Sequence, residues 1–184
     1  FRSELPNSIE LIGGENIVVK NCQLGAQPTG ITCKVQEVNK LSFINNQVYP
    51  DGRENLVLDA CNNCVIEGNN FKSYYNGILV LNGNDNTVNK NIFWLTGAVQ
   101  NQLLDHGDDF GIINVKGNNN MVASNSLSCE WAYAGAVTVN AVQGTGNVFK
   151  NCFVDNLESY RVFLVNAQTE VSNCVSSDKV SIVE

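Results

Sequence analysis

The fold is decided by a short stretch, Asn45-Asn46-Gln47-Val48, which recurs along the chain in altered form. The other copies are Asn21-Cys22-Gln23-Leu24, Gly68-Asn69-Asn70-Phe71, Lys90-Asn91-Ile92-Phe93, Ser124-Asn125-Ser126-Leu127, Lys150-Asn151-Cys152-Phe153 and Ser172-Asn173-Cys174-Val175. Aligned on the central Asn, with Cys22 in its place in the first copy, they are 24, 23, 22, 34, 26 and 22 residues apart. Each copy has an apolar residue two places after that position. A near-constant spacing in this range is typical of a repeat protein.

A second apolar position lies three places before the Asn in six copies, and the last copy has Glu170 there. Two or three short apolar runs per repeat, separated by Gly and Asn clusters, predict one coil of a parallel β-helix. Leucine-rich repeats have a similar period, but their Leu-x-x-Leu-x-Leu signature is absent. Coils stack about 4.8 Å apart, so a recurring Asn can form a hydrogen-bonded ladder and adopt the left-handed conformation that a tight turn needs. We predict one all-β parallel β-helix domain over residues 1–184, with about seven coils and the Asn repeat as scaffold.

Composition limits the function classes. Hydrophobic residues make up 43% of the 184 residues and charged residues 16%, which suits one folded domain. The net charge of -7 argues against a nucleic acid or an anionic membrane as partner and is compatible with a neutral sugar. No apolar run is long enough to span a bilayer. The chain begins at Phe1 without a Met or a signal peptide, so we expect the true N-terminus upstream, which leaves localisation open, secretion included.

One repeat step is irregular. The 34-residue interval between Asn91 and Asn125 predicts an inserted loop of about ten extra residues within 94–110. That stretch contains Trp94, Asp105, His106, Asp108 and Asp109. Insertions in solenoids often form a binding face, but a solvated surface loop explains the same residues equally well. His106 has no Ser or Cys arrangement to complete a catalytic triad.

The pattern of cysteines indicates a structural role for them and not a metal or redox site. Cys61-Asn62-Asn63-Cys64 is a single CxxC, whereas zinc needs four ligands and a thioredoxin-like redox motif needs a βαβ context. The total of seven Cys is odd, which speaks against a complete disulfide framework. Cys152 and Cys174 fall at equivalent positions of adjacent coils, within possible bridging range, and we expect them to be reduced, stacked thiols. We expect neither a metal nor a cofactor.

The strongest candidate for chemistry is Glu10. It is the middle residue of a predicted strand, 8–12, whose neighbours Ile9 and Leu11 should point inward. Glu10 therefore projects from the outer face, as do Val57 and Val80 at the matched positions of later coils. One carboxylate among aliphatic equivalents is unusual in a stacked column.

A series of motifs resembles the inulin fructotransferases, glycoside hydrolase family 91. Asn7-Ser8-Ile9-Glu10-Leu11-Ile12-Gly13 is similar to the Asn-Cys-Val-Glu-Leu-Thr-Gly stretch of that family. Further matches, all in one register, are Gly30-Ile31-Thr32, Asp51-Gly52-Arg53, Cys61-Asn62-Asn63-Cys64, Tyr75-Asn76-Gly77-Ile78-Leu79, Leu81-Asn82-Gly83, Asp108-Asp109-Phe110-Gly111 and Gly117-Asn118-Asn119-Asn120. The resemblance covers roughly residues 7 to 130, with a weaker tail.

The resemblance implies a right-handed parallel β-helix assembled as a homotrimer and acting on β-2,1-linked fructan. Family members release a cyclic difructose anhydride from the end of inulin, and relatives hydrolyse difructose anhydride III. Both reactions need proton transfer at the scissile bond, which a pair of carboxylates can supply. Glu10 matches the family's catalytic Glu. Whether the product is difructose anhydride I or III, or the reaction is the hydrolysis, stays open.

The resemblance also implies that part of the site is missing. The family's catalytic Asp lies eleven residues before the Glu, a position that falls before Phe1. We therefore expect the chain to be the C-terminal portion of a longer enzyme, partnered by its N-terminal half and inactive alone. Positions matched to the family that suit sugar contacts are Arg53, Tyr75, Asn82, Asp108 and Asp109, although turn or trimer-interface roles explain each of them too.

Two other function classes remain open. A non-catalytic trimeric β-helix module that binds polysaccharide, such as a phage appendage, has the same repeat. A pectate-lyase-like enzyme does as well, but it usually needs a calcium-binding carboxylate cluster, and no such cluster occurs outside residues 105–109.

Overall fold

The computed structural model describes residues 7–26, 30–50, 54–74, 77–96, 111–129, 137–155, 161–175 and 180–183. Their strands form three parallel sheets, named A, B and C. Sheet A contains β1 (Ile9–Glu15), β4 (Cys33–Asn39), β7 (Leu56–Asp59), β10 (Leu79–Asn82), β13 (Ile113–Val115), β16 (Val137–Ala141), β19 (Arg161–Asn166) and β21 (Val180–Val183). Sheet B contains β2 (Val18–Lys20), β5 (Ser42–Ile44), β8 (Val65–Glu67), β11 (Thr87–Asn89), β14 (Met121–Ala123), β17 (Val148–Lys150) and β20 (Glu170–Ser172). Sheet C contains β3 (Gln23–Leu24), β6 (Gln47–Val48), β9 (Asn70–Ser73), β12 (Ile92–Leu95), β15 (Ser126–Cys129) and β18 (Phe153–Asp155).

The chain visits the sheets in the order A, B, C and then repeats the circuit. Each strand pairs in parallel with the equivalent strand of the next circuit, as β1 does with β4 and β2 with β5. The predicted all-β parallel solenoid is therefore confirmed. Its right-handedness and the number of seven coils stay predictions. None of the described residues forms a helix long and apolar enough to cross a membrane.

The core is a set of stacked apolar columns. Alternate residues of each strand point inward, so like residues of successive coils lie one above another. In one such column the rings of Phe43 and Phe71 are 6.1 Å apart and those of Phe71 and Phe93 5.0 Å apart, with nearly parallel planes. All three rings are fully buried, which makes this stack part of the hydrophobic interior.

A ladder of buried Asn side chains runs along the turn between sheets B and C. Its members are Asn46, Asn69, Asn91 and Asn125, each at most 1% exposed. The Oδ1 atom of each accepts bonds from the residue of the preceding coil, as Asn125 Oδ1 does from the Asn91 backbone N–H at 2.9 Å and Nδ2 at 3.0 Å. Each Nδ2 also donates to a sheet B carbonyl, for example Asn91 to Ile66 at 2.9 Å. The ladder therefore satisfies buried amides of the side chain and of the backbone together.

The structure separates two roles that the sequence assigns to one Asn. The left-handed residue of this turn is the one before the ladder Asn, not the ladder Asn itself. Its positive φ recurs in every coil, at Asn21, Asn45, Gly68, Lys90, Ser124, Asn151 and Asn173. Asn is favoured at this position because it tolerates the left-handed conformation, whereas the ladder position needs the amide for hydrogen bonding.

This distinction corrects the register of the last two repeats. Ala123 pairs with Lys150 and Ser126 with Phe153, so the residue equivalent to Asn125 is Cys152 and not Asn151. By the same register Cys174, not Asn173, continues the column. Val154 is buried and Phe153 is 51% exposed, which agrees with the shift by one residue. The anomaly at Glu170 disappears as well, because Val171 is the inward residue.

A second buried ladder, which the sequence analysis missed, runs along the turn between sheets A and B. Asn86 accepts from the backbone of Cys64 at 2.8 Å, and Asn120 and Asn147 continue the series toward the C-terminus. Each Nδ2 donates to a carbonyl of the preceding coil, as Asn120 does to Gly83 at 3.0 Å. The signal in the sequence is an Asn directly before each of β11, β14 and β17.

The first strand is longer than the predicted strand over 8–12 and includes Gly13 and Gly14. β1 continues through them to Glu15, with Gly13 and Gly14 at φ of 68° and 117°. The register runs from Ile12 paired with Gln36 to Gly14 paired with Val38. The pair therefore forms a bend within a strand.

We expect Asn91→Ala to lower the free energy of unfolding by about 3 kcal/mol, because it removes buried hydrogen bonds, including those that Asn91 Oδ1 accepts from the Asn69 backbone N–H and Nδ2 and the one that Asn91 Nδ2 donates to the Ile66 carbonyl. The matched control is Asn118→Ala, which removes the bond from Asn118 Nδ2 to Asn84 and the bonds that Asn118 Oδ1 accepts from Thr145 in an exposed ladder, and it should cost less than about 1 kcal/mol. Urea denaturation followed by circular dichroism measures both. Equal losses in the two variants would contradict a special role for the buried ladder.

We expect Gly117→Ala to cost about 3 kcal/mol or more, since its Cβ would lie 1.7 Å from the carbonyl oxygen of Gly83 on the preceding coil. Gly13→Ala provides the comparison, because a Cβ there meets nothing within 4 Å and the cost is limited to about 1 kcal/mol of left-handed strain. Thermal melts of the two variants test the difference. A Gly117 variant as stable as the Gly13 variant would show that the coils are not in close contact at this turn.

Candidate functional site

Glu10 lies on the outer face of sheet A, as predicted. It is in β1 and its side chain is exposed. The residues stacked on it in the next strands are Lys34, Val57 and Val80. Val57 and Val80 were expected in this column, and Lys34 was not.

Lys34 forms an ion pair with Glu10. Its Nζ lies 3.1 Å from Glu10 Oε1, and the side chains are 32% and 45% exposed. An exposed pair of this kind contributes little to stability, so its main effect is to orient the carboxylate. The sequence contains a signal for it, because Lys34 follows Glu10 by 24 residues, the first step of the repeat.

A second polar group lies on the same outer face, two residues further along each strand. Asp59 accepts hydrogen bonds from Asn82 Nδ2 at 2.7 Å and from Gln36 Nε2 at 3.5 Å. Asn82 was expected to contact sugar. It is exposed, as that role requires, but one of its two amide N–H groups points at Asp59.

The structure does not bring Glu10 and Asn82 together. They are three strands apart, which is about 14 Å at the usual strand spacing. Asp59 is two strands from Glu10, about 10 Å along the axis, and displaced along the strand as well. Glycosidase carboxylates are about 5 to 9.5 Å apart, so Asp59 does not form a catalytic pair with Glu10.

The other predicted contacts, Arg53, Tyr75, Asp108 and Asp109, lie outside the described residues, as do Asp105 and His106. Trp94, the first residue of the predicted insertion, belongs to β12 of sheet C. The ammonium of Lys72 lies 4.6 Å from the centre of its ring, a cation–π contact.

Free thiols are found at Cys22, Cys33, Cys61, Cys64, Cys152 and Cys174, which agrees with the expectation of reduced, stacked thiols at Cys152 and Cys174. They include two pairs of neighbouring thiols that affect each other's pKa, Cys61 with Cys64 and Cys152 with Cys174. The interaction with its partner lowers the pKa of Cys61 and of Cys174, while the same interaction and burial raise the pKa of Cys64 and of Cys152. Several of the thiols also donate to backbone carbonyls, so their burial is compensated.

Metal donors do not converge in the described part of the chain. No group of three or more His, Cys, Asp or Glu side chains there could hold a metal ion. The one Met, Met121, lies on the outer face of sheet B and is half-buried. Each thiol pair offers two donors only.

Solved structures of DFA-IIIase from Arthrobacter chlorophenolicus A6 resemble the chain. The complex with GF2 has a TM-score of 0.80 and 21% identity and covers 94% of this chain and 46% of that chain. The enzyme without its lid has a TM-score of 0.78 and 18% identity, covering 98% and 53%. A mutant in complex with DFA-III has a TM-score of 0.78 and 17% identity, covering 98% and 55%.

At these identities the similarity shows a shared fold. It supports a distant relationship to the fold of DFA-IIIase, and membership of glycoside hydrolase family 91 does not follow from it. The chain spans about half the length of these structures. The comparison with curated proteins gave no match.

A protein-family model matches residues 1–169, and its description is NosD, periplasmic copper-binding protein. Protein copper sites combine ligands such as two His, a Cys and an axial Met. The described residues of this chain do not fit such a site, because they bring no three donors together. The match nevertheless covers most of the chain and establishes its family: the chain belongs to the NosD family.

Proposed function

We propose that this chain is the β-helical part of a fructan-active enzyme in which Glu10 is the catalytic acid/base. The observation that carries the proposal is the exposed Glu10 carboxylate on the outer face of β1, held by the Lys34 ammonium at 3.1 Å. Every other described residue of its column is uncharged. A lone oriented carboxylate on a solvent-facing sheet has access to a sugar substrate.

Three further observations support the substrate class. The DFA-IIIase structures share the fold over 94% or more of this chain. The motif series from Asn7 to Asn120 resembles inulin fructotransferases in one register. The net charge of -7 also suits a neutral oligosaccharide better than a polyanion.

The reaction we propose is cleavage of a fructosyl bond through an oxocarbenium-like transition state. Glu10 exchanges a proton with the oxygen at the scissile bond, which lowers the barrier to bond cleavage. Lys34 positions the Glu10 carboxylate and does not itself take the proton. In the transferase reaction a hydroxyl of the same difructosyl unit attacks the anomeric carbon, and a cyclic difructose anhydride leaves. In the hydrolase reaction water attacks difructose anhydride III and inulobiose forms.

The second carboxylate is proposed to come from the N-terminal half of the whole protein, eleven residues before Glu10. Asp59, the described carboxylate on the same face, is too far away to serve. We also propose that the whole protein is a homotrimer, as the resemblance implies. On this view the 184-residue segment alone is inactive.

We expect Glu10→Gln in the whole protein to lower turnover of inulin or difructose anhydride III by about 10²- to 10⁴-fold, because Gln cannot exchange the proton. Stability should change by less than about 1 kcal/mol, since the ion pair with Lys34 is exposed. Chromatography of the products measures the first effect and urea denaturation the second. The product also distinguishes the transferase from the hydrolase.

Glu67→Gln is the matched control. Glu67 is paired with Lys90 at the same 3.1 Å distance on the outer face of sheet B, so this variant breaks an equivalent ion pair elsewhere. It should retain full turnover. Wild-type activity in Glu10→Gln would remove the catalytic assignment, and binding of inulin without any product from the wild-type protein would favour a non-catalytic polysaccharide-binding module.

A further inference from the structure

The buried Asn ladder changes its chemistry at the C-terminal end. Four Asn occupy the column from Asn46 to Asn125, and the next two positions are Cys152 and Cys174. Cys152 Sγ donates to the carbonyl of Val122 at 3.7 Å, which is the place of the Asn amide in the coils before it. The two thiols therefore point inward like the Asn side chains of the ladder and are 3% and 5% exposed.

Backbone hydrogen bonds fix the two cysteines opposite each other. Lys150 pairs with Ser172, and the Asn151 N–H donates to the Ser172 carbonyl at 3.1 Å. On the other side, the Val175 N–H donates to the Cys152 carbonyl at 3.0 Å. The Cα atoms are therefore one strand spacing apart, about 4.8 Å, inside the 4.4 to 6.8 Å range that a disulfide spans.

We propose that Cys152 and Cys174 form a modification site, at which exchange with a disulfide donor produces a disulfide that joins two successive coils covalently. In the earlier coils the Asn side chains connect neighbouring coils by hydrogen bonds, and here the disulfide would connect them covalently.

The exchange takes two steps. The Cys174 thiolate, having released its proton to solvent, attacks one sulfur of the donor disulfide, and the first donor thiolate leaves. Cys152 then loses its proton and attacks Cys174 Sγ, which expels the second donor thiol. Two protein thiols are oxidised, and one donor disulfide is reduced to two thiols.

Two features favour Cys174 as the attacking residue. Its interaction with Cys152 lowers its pKa, which increases the thiolate fraction. It also follows β20, the last described strand of sheet B, and the described strands of sheet C stop at β18. Within the described residues, no strand of sheet C therefore stacks on Cys174, and its side chain is the more exposed of the pair, at 5% against 3%.

The pair formed by Cys61 and Cys64 provides an internal comparison. Those two thiols belong to one turn between β7 and β8, and a bond between them closes only a short loop. They are 0% and 1% exposed, with described coils on both sides. We expect them to react much more slowly with a donor and to leave stability nearly unchanged.

The experiment uses oxidised glutathione as the donor on the folded chain, followed by alkylation of free thiols and peptide mapping by mass spectrometry. The expected result is a peptide pair linked through Cys152 and Cys174, lighter by two hydrogens than the separate peptides. Oxidation should raise the melting temperature by roughly 5 to 10 °C, because the linkage restrains the unfolded chain.

The double variant Cys152→Asn/Cys174→Asn tests the origin of that shift. It extends the amide ladder, so it should fold, and its melting temperature should not respond to glutathione. Cys61→Ser should still respond as the wild type does. Recovery of Cys152 and Cys174 fully alkylated, or as separate glutathione adducts, from folded and treated wild-type protein would overturn the proposal.

Discussion

Buried amide groups that bond from one coil to the next are the constraint on which this solenoid depends. A buried Asn offers two donors and an acceptor, and an unpaired one costs about 1 to 3 kcal/mol. In the ladder from Asn46 to Asn125 the neighbour that satisfies these groups is the same residue one coil away. A shift of one residue in a single coil would expose the apolar column and break the ladder together. The ladder therefore fixes the register, and the register fixes which side chains reach the surface.

Much of the fold follows from the sequence because stacking makes the repeat visible. The period, the parallel strands and the outward direction of Glu10 all depend on the alternation of apolar residues, which is a local property. The assignment of Asn151 and Asn173 was wrong by one residue. Asn is favoured both at the left-handed position and at the ladder position, and residue type alone does not separate the two. The exposure of Phe153 and the pairing of Ala123 with Lys150 distinguish the two positions.

The candidate site was less accessible to such reasoning. The residues of the site are neighbours because they stack in successive coils, and which residues stack can be identified only when the strand register is known. Lys34 lies in the strand next to Glu10, whereas the expected column contained only Val57 and Val80, which are two and three strands away. Asn82 has a side chain suited to a sugar contact, but in the structure one of its N–H groups donates a hydrogen bond to Asp59. Arg53, Tyr75, Asp108 and Asp109 stay predictions.

In a solenoid, functional residues are best sought at positions where a stacked column changes its residue type. Scaffold columns keep one residue type because each member has the same neighbours above and below. The Glu10 and Lys34 pair places two charges in a column whose other described residues are uncharged, and Cys152 and Cys174 follow four Asn in a column of amides. Neither change improves the scaffold, since an exposed ion pair adds little and a thiol bonds more weakly than an amide. The family description points to copper, but no column brings three metal donors together in the described residues. The two departures are therefore better guides to the function of this chain than the family name.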